Sequence, residues 1–238
     1  MDRLPIGKLQ HGSWQISLLE QQRLKQRLLM HAPEATPTTQ QLWKMNADVY
    51  MNIRLPKNSV EKWVSLEASS ARAKRRAKVW LEYLLWLAYL NMADGGTQFS
   101  RIVVFSDRTI VCQGVSSTQA REWLDHWLAA WHYGQRQPLV LPAALLLKIA
   151  EKDQQHHWQA NAEQQMIIDD MQSIFKDWHE DGKFSGFSVV DNEANQAHRD
   201  WQFILQEQDA TALLEDACLQ FSYQLYQPIF CHQYAIEE

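Results

Sequence analysis

Cysteine is scarce: only Cys112, Cys218 and Cys231 occur among 238 residues, and no two form a CxxC pair. That odd set gives neither a disulfide framework nor a zinc-ligand signature, and it suits a reducing compartment. Long apolar runs are also missing. The most apolar stretch, "VWLEYLLWLAYLNMA" from Val79 to Ala93, is interrupted by Glu82 and Asn91 and falls short of the roughly 20 apolar residues that span a bilayer. No apolar signal segment follows Met1. Internal repeats and low-complexity tracts are lacking. So are the glycine-rich phosphate cradles of NTPases and dinucleotide binders, the GxSxG nucleophile elbow and the HExxH zinc motif. The nine histidines offer no ligand spacing. His156 and His157 are adjacent and diverge by about 100° on a helix. His126 and His132 are off-face, and "WHED" (Trp178 to Asp181) has no second histidine nearby. No metal or cofactor is expected.

What is present is a hydrophobic content of 46%, eleven tryptophans and a net charge of -5. The tryptophans exclude a disordered chain. The acidic balance argues against a surface that binds polyanions everywhere, and leaves room for a local basic patch. The length fits one large domain or one domain with an appendage.

Periodicity predicts an amphipathic helix from Trp14 to His31, stopped by the extended linker "APEATPTT". "WKMNADVYMNIRL" and "KWVSLEAS" read as two strands joined by the turn "PKNS". A helix follows from about Ala71 to Ala93, ended near Asp94-Gly95-Gly96. "RIVVFSDRTIVCQG" is a hairpin with Ser106-Asp107-Arg108 at its tip. "SSTQAREWLDHWLAAWHYG" is a helix with a Ser116-Ser117 cap and an apolar face of Trp123, Trp127, Ala130 and Trp131. A short extended piece and a helix after Pro142 come next, then a polar stretch, an irregular one ("GKFSGFSVV…"), and a final helix, "DATALLEDACLQFSYQLYQPIF". The expected class is α/β with a small mixed sheet flanked by helices and a mostly helical C-terminal extension.

Two features carry chemistry. The first is a carboxylate in each strand, Asp48 in "NADVYMNI" and Glu67 in "SLEAS", with Ser69 two residues beyond Glu67. In PD-(D/E)xK nucleases one strand ends on a carboxylate and the next carries a carboxylate and a lysine two apart, on one face. The carboxylates hold a divalent metal that activates water, and the lysine stabilises charge on the attacked phosphate. Here the lysine position holds serine. The second feature is the run "RAKRRAK", which places Arg72, Lys74, Arg75, Arg76 and Lys78 at a helix N-terminus. Positive charge there opposes the helix dipole. A solvated face is the usual fate of such a run; a bound phosphate backbone or an acidic neighbour would offset the penalty. The tryptophans at helical spacing are expected in core or interface.

Several stretches in order resemble the C-terminal, nuclease-like domain of the RecC-type gamma subunit of exonuclease V, the RecBCD helicase-nuclease. They are "LPIGKL", "ADVYMNIRL", "WVSLEASS", "VWLEYLLWLAYLN", "GQRQPLVLPAALL" and "LYQPIF". The resemblance implies a nuclease-like fold whose active site is lost, with Asp48, Glu67 and Ser69 as vestigial positions, and no Gln-x-x-x-Tyr stretch around Tyr83. It implies a bacterial cytoplasmic protein acting in double-strand break repair and Chi-regulated recombination, with RecB-type and RecD-type subunits and duplex or forked DNA as partners. The chain is then expected to be a single degenerate domain over 1–238 (core about 14–150, extension 151–238), part of a longer protein. Arg72, Lys74, Arg75, Arg76 and Lys78 would touch DNA or a partner subunit. Two alternatives stay open: a working nuclease that recruits Lys62, Lys74 or Lys78, and a structural module without DNA contact.

Overall fold

The structure, a computed structural model, describes residues 8–92, 99–136 and 216–236, together with 143, 146, 147 and 150. In chain order these form α1 (Lys8–His31), β1 (Thr38–Lys44), β2 (Tyr50–Pro56), β3 (Lys62–Leu66), α2 (Ala73–Leu90), β4 (Ser100–Val104), β5 (Thr109–Cys112), α3 (Ser117–Gly134), α4 (Asp216–His232) and β6 (Gln233–Ile236). The chain divides into two compact units, Met1–Ala120 with His232–Glu238, and Arg121–Cys231. The polar stretch 151–166 and the irregular stretch 182–205 lie outside the described residues.

The first unit is built on a four-stranded sheet of order β3-β4-β5-β6, mixed because β3 and β4 run parallel while β4, β5 and β6 alternate in direction. A parallel pair needs a crossover, and α2 supplies it. Every residue of β4 and β5 is buried, as befits central strands covered on both faces. Strand alternation then assigns the two faces. Val64, Ile102 and Val111 cluster on one side with Leu28 and Ala32 of the α1 end and Ile236. On the other side Trp63, Arg101, Cys112 and Gln233 form one row across all four strands. This row lies beneath α2: the Trp63 ring meets Trp86 edge-on at 5.8 Å. The α2 stripe of Trp80, Tyr83, Leu84, Leu87 and Ala88 is buried, so these aromatics are core, as their spacing predicts. The helix ends at Asn91, which donates its N–H to Leu87 O at 3.2 Å and takes a left-handed φ of 48°. That cap precedes the glycine pair expected to provide it; Gly95 and Gly96 lie outside the described residues.

The expected α/β class with a small mixed sheet flanked by helices is what forms. Five details differ. The segment 43–55 is two strands instead of one: Asn46 Oδ1 accepts the N–H groups of Asp48 and Val49 at 3.1 and 2.9 Å, and this side-chain turn breaks the run. β1 begins inside the expected linker, because Thr38 and Thr39 find partners in Pro56 and Leu55. β1 and β2 form their own two-stranded sheet, so β2 and β3 do not pair. Finally, α1 starts at Lys8, ahead of the expected Trp14, and β6 follows the last helix directly.

The β1–β2 ribbon rests on α2 through its inner face, where Ile53 and Leu55 are buried, Trp43 meets Tyr89 edge-on at 6.3 Å, and the Tyr89 hydroxyl donates to Gln41 Oε1 at 2.7 Å. Ser116, rather than Ser117, caps α3: its Oγ accepts the Gln119 N–H at 3.1 Å while Gln119 Oε1 accepts the Ser116 N–H at 3.0 Å, a reciprocal capping box. Ser117 Oγ instead donates to Leu87 O at 3.0 Å.

In the second unit, α3 and α4 bring Trp127 to Tyr226 and Tyr133 to Phe221, each pair with centroids 5.5 Å apart. Leu124, Ala130, Leu225 and Ile229 are buried there, whereas Trp131, expected on the apolar face, is exposed.

Candidate nucleic-acid interface at the start of the second helix

The chain leaves β3 at Leu66, and Glu67 extends the strand pairing by donating its N–H to Val104 O at 2.9 Å. The next residues are tied to the tip of the β4–β5 hairpin. Ser69 O accepts the Ser106 N–H at 3.0 Å, and Asp107 Oδ1 accepts the Ala71 N–H at 2.8 Å. From the α1 side, Arg27 donates to Phe105 O and Ser106 O at 3.3 and 3.0 Å. The tip is thus held on two sides, and it fixes where α2 begins. Burial would raise the Asp107 carboxyl, yet the Ala71 and Asp107 N–H groups and Arg108 hold it below the ordinary carboxylate range.

α2 opens with Arg72 in an extended conformation as its N-cap, with no side-chain capping bond, and no acid stands in its first turn. Its five cations divide by environment. Arg72, Lys74 and Lys78 are exposed, while Arg75 and Arg76 are half-buried. Arg75 donates to Ser70 O at 3.0 Å. Arg76 donates through Nε to Gln233 Oε1 at 2.9 Å, and Gln233 Nε2 donates back to Arg76 O at 2.9 Å. Lys78 Nζ stands 3.9 Å from Glu82 and remains open to solvent. Arg75 and Arg76 therefore serve the fold, and the outward positive charge is that of Arg72, Lys74 and Lys78.

The carboxylates of the nuclease template fall on different elements. Asp48 is exposed in the β1–β2 turn instead of in a strand. Glu67 is half-buried just past β3, in the other sheet. Lys62 begins β3, so five residues of extended chain, about 16 Å, separate it from Glu67. Among the described residues no group of three or more His, Cys, Asp and Glu side chains is arranged to hold a metal.

Reading the sequence missed the polar layer under α2. Arg101 is only 4% exposed; it donates to Glu82 Oε2 at 2.9 Å and to Trp63 O and Ile102 O, and its guanidinium lies 4.0 Å from the Trp63 ring centroid. Burial pulls the Arg101 pKa down, and Glu82 opposes it. Beside it, burial pushes the Cys112 thiol up to about 12, although Gln233 donates to its sulfur. A buried arginine opening an apolar strand was the available signal, since such a residue requires a partner.

A family model described as the RecC C-terminal domain matches residues 3–154. The chain belongs to that family. RecC is a component of the RecBCD nuclease–helicase, exonuclease V, which places the chain in the context of DNA repair and recombination. No curated protein matches the chain. Among the described residues, no helix is long and apolar enough to cross a membrane.

Proposed function

We propose that the chain is a non-catalytic, DNA-holding and scaffolding domain of a RecC-type subunit, working with RecB-type and RecD-type subunits in double-strand break repair and Chi-regulated recombination. Its contact with the phosphate backbone runs through Arg72, Lys74 and Lys78. The observation that carries this reading is the division of the α2 cations. Two are occupied by the fold, while three project from a helix start that has no acid in its first turn and no side-chain cap. Such a start favours an anion, and cations of this kind grip phosphates without reading sequence. Catalysis is not part of the proposal: Ser69 occupies the lysine position after Glu67, and Asp48 belongs to the turn of a separate ribbon. Asp48, Glu67 and Ser69 are then vestigial.

Titrating fluorescent duplex and forked DNA at low and moderate salt tests the reading. Replacing Arg72, Lys74 and Lys78 together with Gln should weaken duplex binding and lower its salt slope by about 2 to 3. Parent-like binding by that variant would sink the phosphate contact. Incubation with linear DNA and Mg²⁺ or Mn²⁺ should leave the DNA intact; cutting that disappears in Asp48→Ala and Glu67→Ala would establish a working nuclease instead.

A further inference from the structure

The β1–β2 ribbon has a second face, turned away from α2. Across it Gln40 pairs with Arg54, Leu42 with Asn52, and Lys44 with Tyr50. All six are exposed. Leu42 is 74% exposed and Tyr50 59%. The Lys44 ammonium stands 5.5 Å from the centroid of the Tyr50 ring. Arg54 Nε donates to Thr38 Oγ1 at 2.7 Å, which fixes its guanidinium across the strands. From residue 38 to 56 the sole carboxylate is Asp48, out in the turn.

This composition selects among occupants. A solvated face has no need of an open leucine beside an open ring, and an apolar protein contact has no need of two cations that form no ion pair among the described residues. A polyanion with flat apolar faces meets both requirements. We infer that the outer face of the ribbon is a docking platform for single-stranded nucleic acid. An unpaired base stacks on Tyr50 with Leu42 alongside, Lys44 and Arg54 neutralise phosphates, and Gln40 and Asn52 supply amide donors and acceptors. Stacking of this kind tolerates any base and requires an exposed ring beside cations. It is closed to a duplex, whose base faces are covered by their neighbours. Lys44 and Arg54 lie on pairs four residues apart along the ribbon, about 13 Å, so an extended strand meets both. The platform is on a different element from the α2 cations, and it stands whether or not those cations touch DNA.

Fluorescence anisotropy of the full chain tests this with labelled oligothymidylate and, in parallel, a blunt duplex of equal length. Tyr50→Ala should weaken oligothymidylate binding about fivefold or more, and Tyr50→Phe should retain it. Lys44→Gln with Arg54→Gln should lower the salt slope of single-strand binding by about 1.4. Duplex binding should be unchanged in all three. The dependence on Tyr50 should persist when Arg72, Lys74 and Lys78 are replaced, so this inference and the phosphate contact at α2 fail separately. Four results would overturn it: no binding of oligothymidylate by the parent chain at low salt, parent-like binding by Tyr50→Ala, equal losses on duplex and single strand, or equally effective displacement by polyglutamate, which would mark an acidic protein segment as the occupant.

Discussion

A guanidinium taken out of water without a counter-charge is costly, so Arg101 depends on Glu82. The pair spans β4 and α2 at 2.9 Å and clamps the helix to the sheet at the level of the buried row of Trp63, Cys112 and Gln233. Removing one partner is worse than removing both. Glu82→Ala should destabilise the chain by about 3 kcal/mol, because the buried charge is left behind, and Glu82→Leu combined with Arg101→Met should recover much of that loss. Urea midpoints for the parent, Glu82→Leu, Arg101→Met and the double variant measure the coupling. If the double variant is as unstable as the sum of the singles, the two side chains do not act together.

The β1–β2 ribbon shows how an element gains stability from outside itself. Two strands in isolation are marginal in water, and this pair shares no strand pairing with the main sheet. Ile53 and Leu55, both buried, together with Trp43 against Tyr89, hold it on α2. Leu55→Ala removes that support, at a cost of about 2–5 kcal/mol if the ribbon and the sheet unfold together. Detachment of the ribbon alone is the expected outcome: hydrogen exchange should accelerate at the β1 and β2 amides while β4 and β5 stay protected. Uniform acceleration through both sheets would show one cooperative unit. The same element marks where sequence reading failed. The β4–β5 hairpin, α2 and α3 were legible because their apolar periods are strong and their ends carry turn or cap residues. The break at Asn46 was hidden, because one side-chain turn separates two stretches rich in strand formers, and no period separates a bent ribbon from a single long strand. That error placed Asp48 in a strand, whereas it stands in the turn. The division among the α2 cations was invisible for a different reason: Gln233, which engages Arg76, stands 157 residues away.

At the scale of the whole molecule, α1 and α2 cover opposite faces of a four-stranded sheet whose last strand comes from the far end of the chain. Gln233 joins Cys112 across 121 residues and returns to α2 through Arg76. β6 therefore closes an edge and fastens a layer at once. Deleting Gln233–Glu238 should expose the β5 edge, and an uncovered, apolar edge strand is a template for association. Light scattering should show concentration-dependent aggregates of the truncated chain under conditions where the parent is monodisperse; a monodisperse truncation would mean that β6 is not needed to protect β5. The class of fold and the family were both readable from the order of motifs, since order survives where single residues have changed. The role of β6 was not, because four residues following a helix carry no pattern long enough to announce a strand.

That distant closure has a temporal side. On the ribosome, β5 emerges long before its neighbour has been translated. At roughly 5–20 residues per second, the intervening stretch takes on the order of ten seconds to synthesise. Throughout that interval the nascent chain carries an open hydrogen-bonding rim, and whatever shields it then must give way to Gln233–Ile236 afterwards.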